Sequence, residues 1–289
     1  MKLNNLERVY IVARPSKKCK TPYVADIMLK NGNIVQAHCA SLGCCGLCEK
    51  GCYVYASTIE SNCKNTQSKV CSHKIYLSEF KEEKKLDENK PLILLNEQLI
   101  GVDPKLAETL VESAINSNFI DILQNVKSYK REVKYGNSRF DFSGIDENER
   151  EFILEVKNVP LCDYVDAPSK DRNLMEKTGA FKNLHFNEKI SYFPDGYRKK
   201  KGAVVSERAL KHINELKDLH LTTNVRSIIC FVIQRTDSSY FQASNLDPIY
   251  QEAFYNAVDS GVEVVAFSVK WDKFGNASFI KNLQIKAVK

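Results

Sequence analysis

The chain has 289 residues, of which 43% are hydrophobic and 27% charged, and a formal net charge of +6. This composition is ordinary for a globular protein and excludes the disordered, collagen-like and coiled-coil classes. The longest apolar run, 228–233, is far shorter than the about 20 residues that cross a bilayer. The first residues also lack the apolar stretch of a secretory signal. We therefore expect one or two domains in a cytoplasmic protein with no membrane association.

The first third of the chain holds the whole excess of positive charge. Residues 1–90 carry 15 Lys and Arg against 9 Asp and Glu. Short β-branched or aromatic runs, separated by turn signals, predict a small all-β unit here, and Asn31-Gly32-Asn33 predicts a hairpin. The runs are 9–13, 23–29, 34–38 and 52–56. The charge-dense stretch 81–90 indicates a linker or a solvated helix end, so we predict domains at 1–85 and 91–289.

The second predicted domain alternates strands with helices. A helix is predicted from Asp103-Pro104 onward, because Pro is tolerated in a first turn. Further helices are predicted at 207–219 and 248–260, strands at 131–142, 151–159, 227–234 and 262–269, and an irregular segment at 160–201. The alternation predicts an α/β (α+β) layer with a partly buried sheet.

Two carboxylates and a lysine fall close together in this pattern. Glu155 and Lys157 lie two residues apart on one predicted strand and so share a face, while Asp141 ends the preceding strand. Mg²⁺ takes protein carboxylates together with waters and substrate phosphate oxygens. A neighbouring lysine can orient the attacking water or offset transition-state charge, and Glu132 could support the metal shell. A solvated strand carrying Glu-x-Lys is the alternative, but the apolar run 152–154 favours a buried site.

These residues resemble the central motifs of the sugar fermentation stimulation protein (SfsA) family. The resemblance is carried first by 132–142 and by Glu155-Val156-Lys157-Asn158-Val159. Further matches occur in order at His38-Cys39, Gly46-Leu47, Phe193-Pro194-Asp195, Lys211-His212, 231–235, Asp247-Pro248-x-Tyr250 and 261–264. The resemblance therefore extends over almost the whole chain.

The resemblance implies an N-terminal OB-like β-barrel followed by a PD-(D/E)XK nuclease-like mixed sheet flanked by helices. It also implies DNA binding and a divalent metal, Mg²⁺ or Mn²⁺. By position, Asp141 and Glu155 resemble the metal carboxylates, Lys157 the catalytic lysine and Glu132 the auxiliary acid. This chain departs from the family pattern by extra residues between Val159 and Phe193, so substrate details do not carry over.

Basic residues near aromatic ones indicate where a nucleic acid would bind. The candidates are Lys17, Lys18, Lys20, Arg139, Arg198, Lys199, Lys200 and Lys201. His212, Gln234 and Arg235 are auxiliary candidates for a phosphate contact or a supporting role. The alternatives are an ordinary solvated loop and a packed histidine.

Eight of the ten cysteines fall in the first 71 residues. Cys45-x-x-Cys48 has the spacing of a zinc site, which Cys39, Cys63 or Cys71 could complete. No second Cys-x-x-Cys appears, so buried or incidental thiols are favoured over structural Zn²⁺.

The sequence thus predicts a Mg²⁺- or Mn²⁺-dependent nuclease that hydrolyses phosphodiester bonds, with DNA favoured over RNA. One alternative is a DNA-binding protein that does not cleave, such as a transcriptional regulator of sugar metabolism. Another is a zinc-stabilised interaction module. The sequence leaves homo-oligomerisation and the choice between single and double strands open.

Overall fold

The structure is a computed structural model and describes residues 1–40, 46–59, 71–85, 91–135, 138–194 and 206–286. The chain divides into two compact units. The first unit is Met1–Leu106 with Lys270–Ser278, and the second is Ala107–Val269 with Phe279–Lys289. No helix in these described ranges is long and apolar enough to span a membrane.

The first unit contains a closed ring of strands. Its members are β1 (Glu7–Ala13), β2 (Val24–Met28), β3 (Ile34–His38), β4 (Tyr53–Thr58) and β5 (His73–Lys85). β1 pairs antiparallel with β2 and β4, β2 with β3, and β4 with β5. Two parallel residue pairs, Ala37 with His73 and His38 with Lys74, close the ring between β3 and β5. The predicted OB-like arrangement is confirmed, as a ring with a short closure rather than an evenly paired barrel.

Alternating side chains fill this ring, as expected for strands with one face turned inward. Val9, Ile11, Val54, Ile75 and Leu77 are at most 2% exposed. The four apolar runs in the sequence therefore mark β1 to β4. Burial alternates along β1 and β4, whereas β2 buries four residues in succession.

The charged stretch 81–90 was wrongly interpreted as a linker or helix end over its first half. Residues 81–85 continue β5 and pair with β6 (Leu92–Gly101) in a long hairpin. Lys81 and Glu97 form an exposed ion pair across it, with Nζ and Oε1 2.9 Å apart. A hairpin that is largely exposed needs no apolar alternation, so its sequence carries no strand signal. Residues 86–90 lie outside the described ranges.

The remaining elements follow in chain order. They are α1 (Pro104–Asn116), β7 (Ser128–Tyr135), β8 (Ser138–Ile145), β9 (Glu151–Val159), β10 (Cys162–Asp163), α2 (Ser169–Lys177), β11 (Lys189–Phe193), α3 (Glu207–Thr222), β12 (Arg226–Ile233), β13 (Ser238–Ala243), α4 (Pro248–Asp259), β14 (Glu263–Trp271), β15 (Ala277–Asn282) and β16 (Gln284–Ile285).

The second unit is built around β9. This strand is antiparallel to β8 on one side and parallel to β12 on the other, with β7 beyond β8 and β14 beyond β12. The helices α3 and α4 bury Ile213, Leu216 and Phe254 against Ile229 and Phe231 of β12. The predicted mixed sheet flanked by helices is confirmed. A smaller sheet, β10-β11-β13-β16, completes this unit.

Two predicted elements of this unit are wrong. The single strand predicted at 131–142 is two antiparallel strands, β7 and β8, joined through residues 136–137, which lie outside the described ranges. The segment 160–201, predicted to be irregular, contains β10, α2 and β11. The helix α2 buries none of its residues, so it lacks the apolar stripe by which helices are found in a sequence.

Candidate metal centre

The site begins with two charged side chains on the buried central strand. Glu155 is 2% exposed and Lys157 is 9% exposed, and both lie on the same face of β9. On the neighbouring strand β12, Ile229 pairs with Glu155 and Phe231 with Lys157. Strands on both sides and helices above the face therefore remove these charges from water, which requires that they find partners.

One oxygen of Glu155, Oε1, accepts two hydrogen bonds. Lys157 Nζ donates to Glu155 Oε1 at 2.6 Å, and His212 Nδ1, from α3, donates to the same oxygen. Burial alone would raise the pKa of this carboxyl, but the Lys157 charge and the His212 contacts outweigh it and hold the pKa below its ordinary value. Glu155 is therefore a carboxylate at neutral pH.

The other oxygen of Glu155 is buried and unsatisfied. Glu155 Oε2 has no hydrogen-bond partner in the part of the chain that the structure describes. A buried carboxylate oxygen without a donor costs several kcal/mol in a dry interior, so such atoms usually bind an ion, a water or a ligand.

Asp141 stands on β8 beside this carboxylate. The pair Phe142 with Leu154 sets the register, and continuing it by one residue places Asp141 opposite Glu155. Asp141 Oδ2 accepts a hydrogen bond from the backbone N–H of Val156 at 2.7 Å. Burial, and then the Glu155 charge, raises the pKa of Asp141 to about 7.

Asp141 and Glu155 fit a hard divalent cation. Both offer carboxylate oxygens, one oxygen is a buried orphan, and the repulsion between the two groups would be relieved by a positive charge. Among the described residues, no group of three or more His, Cys, Asp or Glu side chains could hold a metal ion. The two carboxylates would thus leave most positions to water or substrate, as Mg²⁺ prefers and a structural zinc site does not.

Glu132 and Arg139 pair with each other. The ion pair joins Arg139 Nη1 to Glu132 Oε2 at 3.2 Å, and both side chains are exposed. The pairs on either side, Arg131 with Phe142 and Val133 with Phe140, place Glu132 level with Asp141. Glu132 has a φ of 54°, an unfavourable conformation for a residue with a side chain. Its predicted role as auxiliary acid stays a prediction.

The three auxiliary candidates, His212, Gln234 and Arg235, differ in the residues that they contact. His212 belongs to the site through Glu155. Gln234 Nε2 donates to Asn158 Oδ1 at 2.8 Å, and Arg235 donates to both oxygens of buried Asp237 at 2.8 and 2.6 Å. These hydrogen bonds of Gln234 and Arg235 therefore join residues near the ends of β9, β12 and β13.

The basic candidates of the first unit lie in the loop between β1 and β2. Lys17, Lys18 and Lys20 are exposed. Buried Asp26 anchors their loop by accepting from Ser16 Oγ at 2.7 Å and from the Lys17 backbone at 2.9 Å. The other basic candidates, Arg198, Lys199, Lys200 and Lys201, lie outside the described residues.

The zinc prediction is only partly covered by the structure. Cys39 and Cys48 are buried and Cys71 is half-buried, whereas Cys45 and Cys63 lie outside the described ranges. The residues that the structure describes bring no such cluster together.

Sequence reasoning assigned no role to one polar group near this site, Tyr250 of α4. Its side chain is fully buried, and its hydroxyl has no hydrogen-bond partner within the described ranges. Burial, and then the charges of Glu155 and Asp247, raises the pKa of this hydroxyl well above its ordinary value. Only the family-like motif Asp247-Pro248-x-Tyr250 signalled it, because a tyrosine on an apolar helix face resembles ordinary core.

Comparison with known proteins identifies relatives over most of the chain. The family model described as the sugar fermentation stimulation protein RE domain (SfsA) matches residues 105–172 and 164–275. A sugar fermentation stimulation protein homolog of Shewanella sp. (strain ANA-3) is 30% identical over 248 residues, covering 85% of this chain and 84% of the relative. The homolog of Maricaulis maris is 29% identical over 251 residues, with coverages of 85% and 84%.

A solved structure shares the fold. The structure of Pyrococcus furiosus SfsA in complex with Ca²⁺ superposes with a TM-score of 0.72 at 18% identity, over 99% of this chain and 98% of that one. At this identity the likeness shows a common fold.

The raised pKa of Asp141 predicts an unusual effect of pH on stability. The pKa of this carboxyl is about 7 in the folded protein, against an ordinary value of 3.8 in the unfolded chain. The folded state is therefore progressively destabilised, relative to the unfolded chain, as the pH rises between these two values. Asp141→Asn removes that penalty and keeps an acceptor for Val156. We expect the free energy of unfolding of the metal-free variant to exceed that of the wild type by about 4 kcal/mol at pH 8, and to equal it below about pH 4. Urea unfolding in EDTA across this pH range measures the difference.

Asp146→Asn is the matched control. Hydrogen bonds from Arg150 and Arg226 outweigh burial and lower the pKa of Asp146, so its replacement should destabilise the protein at pH 8. Adding Mg²⁺ should raise the melting temperature of the wild type more than that of Asp141→Asn. A metal-free Asp141→Asn protein that is less stable than the wild type at pH 8 would contradict this description of the site.

Proposed function

The chain belongs to the sugar fermentation stimulation protein (SfsA) family, and from that premise we propose that it is a divalent-metal-dependent nuclease. The substrate is a nucleic acid, with DNA favoured over RNA. The metal is Mg²⁺ or Mn²⁺, held by Asp141 and Glu155.

One observation carries this proposal. Glu155 is a buried carboxylate with one oxygen held by Lys157 and His212 and the other oxygen unpartnered in the described structure. A carboxylate kept for structural reasons alone would have both oxygens satisfied, since an unpaired one costs stability. The free oxygen, beside Asp141, is what a metal ligand requires.

The chain's own groups have distinct roles in phosphodiester hydrolysis. Lys157, fixed by its contact with Glu155, places a positive charge where it can offset the growing charge on a phosphate or orient the attacking water. His212 holds the Glu155 side chain in one orientation. A bound Mg²⁺ or Mn²⁺ supplies Lewis acidity toward phosphate oxygens and a water of lowered pKa.

Two further observations support the proposal. The Pyrococcus furiosus relative was solved in complex with Ca²⁺, which like Mg²⁺ is a hard cation that takes oxygen ligands. The net charge of +6 and the exposed Lys17, Lys18 and Lys20 suit a phosphate backbone. A carboxylate pair with no metal would instead repel that backbone.

Replacing the site residues should slow cleavage strongly. We expect Glu155→Gln and Lys157→Met to lower the rate by roughly 100-fold or more, because each removes a charge that the reaction needs. Labelled single- and double-stranded DNA and RNA, incubated with Mg²⁺, Mn²⁺ or EDTA, provide the assay.

Glu149→Gln is the control, since it makes the same chemical change at an exposed surface ion pair with Lys127. It should cleave at the wild-type rate. Binding of nucleic acid without cleavage in every metal would contradict the enzyme and leave a nucleic-acid-binding protein on this fold.

The lysine loop should contribute to binding rather than to chemistry. Changing Lys17, Lys18 and Lys20 together to Gln should weaken nucleic-acid binding and reduce the slope of log K against log salt by about 2 to 3, since each phosphate contact contributes about 0.7 to 0.9. Fluorescence anisotropy at several salt concentrations measures both quantities.

The same number of charges can be removed elsewhere as a control. Lys170, Lys177 and Lys182 are exposed, and their joint replacement by Gln should change the slope much less. Equal losses in the two triple variants would show that the loop has no specific role.

A further inference from the structure

We propose that Tyr250 is a positioning residue of this site, whose hydroxyl holds a water molecule against Glu155 Oε2. The inference rests on the proposed function, because the water belongs to the shell of the ion that Asp141 and Glu155 would hold. Tyr250 thereby helps to set the affinity for that ion.

Two buried orphan groups point to this role. The Tyr250 hydroxyl and Glu155 Oε2 are both buried, and neither has a hydrogen-bond partner in the described residues. The hydroxyl can donate one hydrogen bond, and the carboxylate oxygen can only accept. They do not bond to each other directly. A water between them would satisfy both groups, and buried waters commonly bind in this way.

The packing of Tyr250 explains why its hydroxyl is held in place. Its ring contacts the ring of Phe193 at 5.5 Å between centroids, and Phe193 contacts Phe231 at 5.8 Å. Phe231 pairs in the sheet with Lys157, so the two side chains lie on the same face of the sheet. Tyr250 belongs to the same buried cluster as Ile229 and Phe231, the residues of β12 that pair with Glu155 and Lys157.

The backbone of Tyr250 is fixed as well. Asp247 caps the start of α4, and its Oδ1 accepts a hydrogen bond from the Tyr250 backbone N–H at 3.0 Å. Neighbouring residues thus hold both the ring and the backbone of Tyr250. Its hydroxyl has no partner among the described residues and is available to a bound water. A tyrosine serving the core alone would be replaced by phenylalanine at no cost, because its hydroxyl makes no bond to the described protein.

The test compares Tyr250→Phe with Tyr255→Phe. Tyr255 lies on the same helix, and its hydroxyl donates to the Lys286 carbonyl at 2.9 Å, so the control also loses one hydroxyl. Three quantities are measured on each full-length protein: the melting temperature in EDTA, the Mn²⁺ affinity by calorimetry, and kcat and KM for DNA cleavage.

We expect Tyr250→Phe to weaken Mn²⁺ binding and lower kcat by about 10-fold or more, as loss of an outer contact of a metal site typically does. KM for DNA should not change. The melting temperature should stay the same or rise, because no protein partner is lost. Tyr255→Phe should keep wild-type Mn²⁺ affinity and kcat.

Two results would overturn the inference. The first is wild-type Mn²⁺ affinity and kcat in Tyr250→Phe. The second is a lowered melting temperature with unchanged Mn²⁺ affinity, which would assign the hydroxyl to folding alone. Failure of the proposed function looks different, since the wild-type protein itself would then bind no Mn²⁺ and cleave nothing.

Discussion

The second unit depends on how one buried carboxylate is accommodated. Glu155 lies at the centre of the sheet, where flanking strands exclude water. Lys157 and His212 donate hydrogen bonds to one of its oxygens, so the strand can carry a charge in a place where charges are normally excluded. The alternation of β9 brings Lys157, and the packing of α3 on the sheet brings His212. The second oxygen, Oε2, has no partner in the described structure and is available to a ligand. The proposed metal binding follows from this difference between the two oxygens.

The balance of charge gives the site its preference for a cation. Lys157 compensates Glu155, whereas Asp141 forms no ion pair within the described residues and accepts a hydrogen bond from the Val156 backbone, and its pKa rises to about 7. The pair is therefore left with more negative charge than the fold neutralises. A hard divalent ion would relieve that excess and bring water and phosphate to the same place. Binding of the ion would then offset the loss of stability that ionised Asp141 causes in the metal-free protein. Such local losses of stability are common at sites built for a ligand.

The sequence predicted the elements whose apolar periodicity is strong and failed where an element buries few or none of its residues. The strands β1 to β4, β9 and β12 and the helices α3 and α4 all bury an apolar face, and each was predicted within a few residues. The exposed hairpin β5–β6 and the exposed helix α2 bury too little to leave a pattern. Spacing and register brought Asp141, Glu155 and Lys157 together. The contacts of His212 and the position of Tyr250 depend on how helices pack across the sheet, which local sequence does not encode, so only the family resemblance signalled those residues.

The position of a bound ion tests the proposed metal site most directly. Crystals of the protein grown with Mn²⁺ and measured at its absorption edge would locate the ion by anomalous scattering. We predict a peak bonded to Asp141 and to Glu155 Oε2, and the loss of that peak in Glu155→Gln crystals. Mn²⁺-saturated crystals with no peak at these two carboxylates, or with the ion held only elsewhere, would contradict it.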